Sequence, residues 1–203
     1  MKNVYDFEAV ADPFKTIYVD PDQIIYSMSY PDVYTNYGTV KPGPWDTTVG
    51  DFEKKTKFQS LRRRFVDGVE WEETEIFDHL QTLIEMDGAV DGCRSVNELK
   101  SRYEHIDELY HEINSNGYKT GDELSSKRGD FADICVAIGR DGSLIQHGDG
   151  IHRLSIAKIL DLSKIPVKVS VRHFEWQRIR ERIAKDECTD PTYRLHPDVK
   201  DLQ

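Results

Sequence analysis

An aliphatic run, Ile134-Cys135-Val136-Ala137-Ile138, stops at Gly139, and a second one, Leu144-Ile145, starts just past Asp141-Gly142. Two short apolar runs that close together can hardly be anything but the arms of a β-hairpin. Asp-Gly at the bend is expected to form a two-residue turn with both residues at positive φ. The second arm leads into a polar loop, His147-Gly148-Asp149-Gly150, and then into a helical pattern from Ile151 to Leu162. A last strand follows at Ile165–Val171, and a last helix at 174–185. Strand, glycine loop, helix and strand in this order fix the C-terminal half as a mixed sheet with helices against it.

The N-terminal half carries weaker signals. Residues 1–16 read as an irregular arm. Ile17-Tyr18-Val19 reads as a strand, Asp20-Pro21-Asp22 as a turn, and Gln23–Tyr26 as a continuation of that strand's edge. Residues 29–50 are rich in Tyr, Pro, Gly and Thr, and Lys41-Pro42-Gly43-Pro44 excludes a helix interior there. Helices are expected at 51–66, with Phe58, Leu61 and Phe65 inward, and at 72–87, capped by Gly88. The clearest helix starts at Ser95. Ser95 and Glu98 have capping-box spacing, and Val96, Leu99, Tyr103, Ile106, Tyr110 and Ile113 form one apolar stripe up to Asn116-Gly117. The resulting expectation is one α+β domain over 1–203, with a helical insertion at about 30–100.

Charge and composition narrow the function. The 203 residues carry 37 acidic and 27 basic side chains, a net charge of −10, so nucleic acid is not the expected partner. No long apolar run and no apolar leader are present, so no membrane partner is expected. The three cysteines, Cys93, Cys135 and Cys188, are far apart, as suits reduced thiols in the cytoplasm. The basic run from Lys54 to Arg64 goes against the acidic balance, and reads first as a solvated helix face.

The chemistry gathers at 147–153. A helix N-terminus exposes unpaired N–H groups and a partial positive charge. Gly148 and Gly150 let the backbone approach a ligand, Arg153 offers a charged fork, and His152 a donor or a proton-transfer group. A phosphate or a carboxylate is expected at Ile151. Asp149 is a candidate general base or magnesium ligand, besides a helix cap. His147, Asp149 and His152 also carry the donor types of a metal site, though no metal is assigned. Asp46, beside Trp45 in the long loop, is a second candidate base. Arg172 is a candidate for closing over the ligand from the last strand, and Tyr30, Tyr34 and Tyr37 are candidates for stacking on a base.

These segments together resemble the ParB/sulfiredoxin superfamily. Val19-Asp20-Pro21-Asp22-Gln23-Ile24 is similar to its first-strand segment, Leu109–Gly117 to the helix before its hairpin, and Gly150-Ile151-His152-Arg153-Leu154-Ser155-Ile156-Ala157 to its loop-helix box. Ile165-Pro166-Val167 is similar to the strand that follows. The resemblance covers 17–26 and 103–172 and implies a small mixed sheet of ParB/sulfiredoxin type with flanking helices. It also implies a nucleotide held by Gly148, Asp149, Gly150, Ile151, His152, Arg153 and Arg172. ParB proteins bind CTP there, sulfiredoxin binds ATP through a GGCHR loop, and free serine kinases bind an adenine nucleotide through a DGxHR loop. Asp149–Arg153 is closest to the last.

Ile151 stands where sulfiredoxin has its cysteine, which excludes sulfinic-acid reduction. No helix-turn-helix segment follows the last strand, which speaks against partition-type DNA sliding. The expected function is an ATP-dependent phosphotransferase on a small-molecule acceptor, using ATP or another nucleotide with Mg2+, with Asp149, His152 and Asp46 as catalytic candidates. A nucleotide-sensing or protein-interaction module without turnover, and a ParB-like DNA-binding or nuclease protein, are the alternatives.

Overall fold

The computed structural model describes residues 7–28, 38–119 and 133–203. The chain is mixed α+β and divides into two compact units. Met1–Phe52, Ser126–Gly150 and Ser163–Gln203 form the sheet unit, and Glu53–Ser125 with Ile151–Leu162 the helical unit.

The sheet unit is built around β7 (Ile165–His173), whose nine residues are buried except Lys168. Burial on both faces suits its β-branched run of Ile165, Val167, Val169 and Val171. On one side β7 runs parallel to β5 (Ile134–Ile138), which forms an antiparallel hairpin with β6 (Leu144–His147). On the other side, β1 (Thr16–Val19) pairs antiparallel with its first half and β3 (Thr39–Lys41) parallel with its end. Beyond β6 come β2 (Tyr26–Met28), parallel to it, and β4 (Gly50–Asp51), antiparallel to β2. The result is an open, mixed, seven-stranded sheet. α5 (Phe174–Ala184) buries Trp176 and Ile183, and α6 (Pro191–Arg194) leads to a 3-10 turn, Pro197–Leu202, that buries Val199.

Two local expectations are corrected. The segment 23–26 does not extend β1. Pro21–Gln23 is a 3-10 turn capped by Asp20, and the chain then crosses to pair as β2 with β6. The hairpin bend is not a two-residue turn with two positive φ angles. Only Gly142 is at positive φ, +89°. Gly142 N–H donates to Gly139 O at 3.1 Å, and Gly139 N–H to Ser143 O at 2.9 Å. Asp141 uses its carboxylate to accept from Ser143 N–H at 3.0 Å and so avoids the left-handed region. Gly142 cannot carry a side chain, because a Cβ there would meet the Trp176 ring at 2.7 Å.

The helical unit contains α1 (Thr56–Asp67), α2 (Glu75–Asp87), α3 (Val96–Asn116) and α4 (Ile151–Ile159). Gly68 and Gly88 end α1 and α2 in the left-handed conformation. Ser95 Oγ accepts from Glu98 N–H at 3.2 Å, while Glu98 reaches back one residue further than a capping box requires, to Arg94 N–H at 2.7 Å. The α3 stripe is buried at Leu99, Tyr103, Ile106 and Ile113. α4 contributes Leu154, Ile156 and Ala157, all fully buried, and this burial stabilises a short helix. Phe65 of α1 stacks on Tyr110 of α3, centroids 4.0 Å apart.

Candidate functional site

The glycine loop is held from the sheet side. Gln146, buried in β6, donates through Nε2 to Gly148 O at 2.9 Å and accepts from Ser27 Oγ at 2.7 Å. Asp149 O accepts from Cys135 N–H at 3.2 Å, so the loop backbone continues the hydrogen-bonding edge of β5. The Asp149 side chain is exposed. Gly148 and Gly150 have φ of +74° and +84°. A Cβ on Gly150 would lie 2.5 Å from Ile134 Cα, so glycine is required there by close packing on β5 whether or not a ligand binds. His147 is buried, with Nδ1 3.0 Å from Ser170 Oγ, whose hydroxyl donates to Val136 O at 3.0 Å. With that hydroxyl proton committed, His147 donates from Nδ1.

Ile151 opens α4, whose first turn contains no acid. A nine-residue helix leaves its leading N–H groups without intrahelical partners. Arg153 is 1% exposed. Its guanidinium donates to Lys119 O and lies 4.2 Å from the Tyr118 ring centroid. It thus anchors the segment after α3. His152 packs its ring edge-on to Tyr103 at 6.3 Å, with Nε2 fully enclosed. Burial, then the charges of Lys57 and Arg102, pull its pKa down to about 3 against the opposing pull of Asp91, so the imidazole is neutral at physiological pH.

The other two candidates lie in the sheet unit, in ion pairs of their own. The Asp46 carboxylate, 4% exposed, takes a two-point ion pair from Arg140 at 2.7 and 2.9 Å and also accepts from Arg140 N–H at 2.8 Å. Burial alone would raise its pKa, and the Arg140 bonds more than offset that and lower it. His173 lies beside the pair. Its Nδ1 accepts from Glu175 N–H at 3.1 Å, so its Nε2 is the nitrogen that donates to Gly43 O, at 2.8 Å.

Arg172 is neither a lid over a ligand nor a charge turned to water. It is 1% exposed and donates to both oxygens of Asp198, at 2.6 and 3.0 Å. Trp176 Nε1 donates to the same carboxylate at 2.9 Å, and Arg180 stands 3.2 Å from it. Burial pushes the Asp198 carboxyl up, but the two arginines and the indole hold it at about 2. Asp201 supplies the second negative charge, 2.9 Å from Arg180.

Sequence reasoning missed Asp198, because nothing at 26 residues' separation links it to Arg172. It also missed the surroundings of His152, because Tyr103 read as one more member of an apolar stripe. In the basic run, Lys57, Arg63 and Arg64 each pair with an acid: Asp91, Glu75, and Asp107 with Glu70. Tyr30, Tyr34 and Tyr37 lie outside the described residues. Among the described residues, no group of three or more His, Cys, Asp or Glu is placed to hold a metal ion, and no helix is long and apolar enough to cross a membrane. No protein-family model matches the chain, and searches of curated proteins and of solved structures find no match either.

Proposed function

We propose that this chain is a nucleotide-binding protein of ParB/sulfiredoxin type, with the phosphates along 148–153, and that it transfers a phosphoryl group to a small molecule. One observation carries the reading: two glycines at positive φ, 148 and 150, lead directly into a helix whose first turn holds no acid. The order of elements supports the family reading, with β1 antiparallel and β5 parallel to β7 and the β5–β6 hairpin placed before the loop.

What suits a phosphate chain is the loop backbone and the start of α4; Arg153 is buried and donates to Lys119 O, and His152 Nε2 is enclosed. Gly148, Asp149 and Gly150 bring no bulky side chain to the stretch before the helix, and Ile151, His152 and Arg153 form its first turn. A bound nucleotide with Mg2+ would supply the transferable phosphoryl group and neutralise part of its charge. Asp149, exposed and at the loop, would be the carboxylate to take an acceptor proton or to bind the magnesium. The proposal leaves out Asp46 and Arg172, whose charges are taken up by Arg140 and Asp198.

The commitment of Asp46 to Arg140 also favours a second reading, nucleotide binding without turnover, since of the candidate carboxylates Asp46 and Asp149 it leaves only Asp149. Calorimetric titration of ATP, ADP, CTP and GTP with Mg2+ tests the site on wild type, Asp149→Asn and Arg153→Ala. Binding by wild type, weakened by about tenfold or more in Arg153→Ala, is expected. Loss of nucleotide consumption in Asp149→Asn with binding retained would favour the enzyme over the sensor. No binding of any of the four by wild type would overturn the reading.

A further inference from the structure

A cavity of about 300 Å³ opens in the sheet unit between the N-terminal arm and α5, at the small end of the range for small-ligand sites. Its apolar wall is the pair Phe7 and Phe174, whose rings meet edge-on with centroids 5.7 Å apart. The arm is pinned to the helix, so this wall is in place without a ligand. Ala9 N–H donates to Glu181 Oε1 at 2.8 Å, Gln177 Nε2 donates to Ala9 O at 2.9 Å, and Glu8 pairs with Lys185 at 2.9 Å.

The charged side chains around the cavity fall into two groups. Arg178 pairs with Glu175 at 3.3 Å, Lys185 with Glu8, and Glu181 accepts from the arm. Arg182 and Glu187 border the same space, yet among the described residues neither side chain takes part in an ion pair or a hydrogen bond. Their backbones are nevertheless fixed. Asp186, at φ +59°, ends α5 in a Schellman turn, in which Glu187 N–H donates to Arg182 O at 2.7 Å and Asp186 N–H to Ile183 O at 3.0 Å. Arg194 holds the chain on both sides of Glu187, donating to Asp186 Oδ1 at 2.8 Å and to Cys188 O at 2.9 Å. One uncommitted cation, one uncommitted anion and an aromatic wall thus border a single small space.

We propose that this cavity binds a free α-amino acid with an apolar side chain. Arg182 receives its carboxylate, Glu187 its ammonium group, and Phe7 and Phe174 its side chain. A simple carboxylic acid would leave Glu187 unmatched, and an amine would leave Arg182 unmatched. A nucleotide would bring phosphates toward Glu187 and no ammonium group to meet it. The site is separate from the proposed phosphate site, since no residue of 148–153 lines the cavity.

The test is calorimetric titration of the full chain with three probes: L-phenylalanine, 3-phenylpropionate, which lacks the ammonium group, and phenethylamine, which lacks the carboxylate. Wild type, Arg182→Gln and Glu187→Gln are compared. Both side chains are exposed, so both variants should melt with wild type. L-Phenylalanine should bind wild type about tenfold or more tighter than either fragment, and each substitution should weaken it by about as much. Arg182→Gln should leave phenethylamine binding unchanged, and Glu187→Gln should leave 3-phenylpropionate binding unchanged.

No saturable binding of L-phenylalanine to wild type overturns the proposal, as does binding that either variant keeps in full. If 3-phenylpropionate binds wild type as tightly as L-phenylalanine, Glu187 is no ammonium receptor and the cavity is a plain anion site, which also overturns it. A melting midpoint lowered in either variant would show that the side chain already has a partner in the fold, with the same consequence. ATP binding at 148–153 is read separately, and neither substitution should alter it.

Discussion

Gly150 rests its α-carbon against the backbone of Ile134 so closely that an added Cβ would stand 2.5 Å from the Ile134 Cα, with φ at +84°. Backbone strain and a clash with a strand both oppose a side chain here, and neither neighbour can swing aside. Gly150→Ala is expected to lose about 2–4 kcal/mol of stability, the sum of a left-handed non-glycine residue and a displaced strand start. Urea denaturation followed by circular dichroism measures it. A loss below about 0.5 kcal/mol would show that the loop is not seated on β5.

Asp198 is the acid of a buried cluster that contains two arginines and an indole donor. Removing one partner of such a cluster leaves uncompensated buried charge, which costs about 3–5 kcal/mol. Asp198→Ala should therefore be much less stable than wild type in urea, with Asp198→Asn between them. An Asp198→Ala variant with an unchanged midpoint would mean that Arg172 and Arg180 reach solvent.

Acid should destabilise the protein in two stages. Burial holds His152 and His196 at pKa values of about 3 and about 4, below the ordinary imidazole value of 6.5. Burial is the main cause for each. At His152, Lys57 and Arg102 add to it against Asp91. At His196, Arg180 and Arg172 add to it against Asp198 and the hydrogen bond with Gly142 O. The unfolded chain then binds protons that the native state refuses. Stability is full above pH 6.5 and falls as pH drops toward 4, by up to about 1.4 kcal/mol per pH unit for each ring. Asp198, depressed from 3.8 to about 2, adds a second loss between those two values. Melting midpoints from pH 8 to pH 3 check the sequence. The double variant His152→Gln, His196→Gln should have a flatter slope between pH 6.5 and 4, and an unchanged slope would exclude these two rings as its cause.

Asp46 and Arg140 test whether the long loop is structural. Asp46 is almost fully buried, whereas the Arg140 side chain is 46% exposed, so the pair lies at the water boundary. Asp46→Asn should cost about 1–2 kcal/mol, the range of a charge-assisted hydrogen bond partly open to solvent. The proposed nucleotide binding at 148–153 should be unchanged in it. A large loss of binding in a variant of wild-type stability would return Asp46 to the site.

The elements with periodic sequence were legible, and those made by long-range pairing were not. β5, β6, β7, α3 and α4 follow from aliphatic runs and three-four spacing, and the α3 stripe is buried at Leu99, Tyr103, Ile106 and Ile113, with Val96 and Tyr110 half-buried. β2, β3 and β4 are three, three and two residues long, too short for any alternation to show. The hairpin bend was mistyped because the Asp141 side chain, by accepting from Ser143 N–H, lets the residue stay out of the left-handed region. At the candidate site, the glycine loop and helix start were legible as local features. Arg153 was read by residue type as a fork for a ligand, and only the fold shows it donating to Lys119 O. The Arg172–Asp198 pair depends on side chains 26 residues apart.

The position of Asp198 in the chain has a consequence for the order in which the molecule is made. β7 and α5 leave the ribosome before residues 197–202, and they carry Arg172 and Arg180 into the interior with them. Until Asp198 and Asp201 arrive, these two guanidinium groups have no acid to close on, and the centre of the sheet cannot be sealed without burying bare charge. Collapse of the sheet unit thus waits on a segment encoded after every one of its strands.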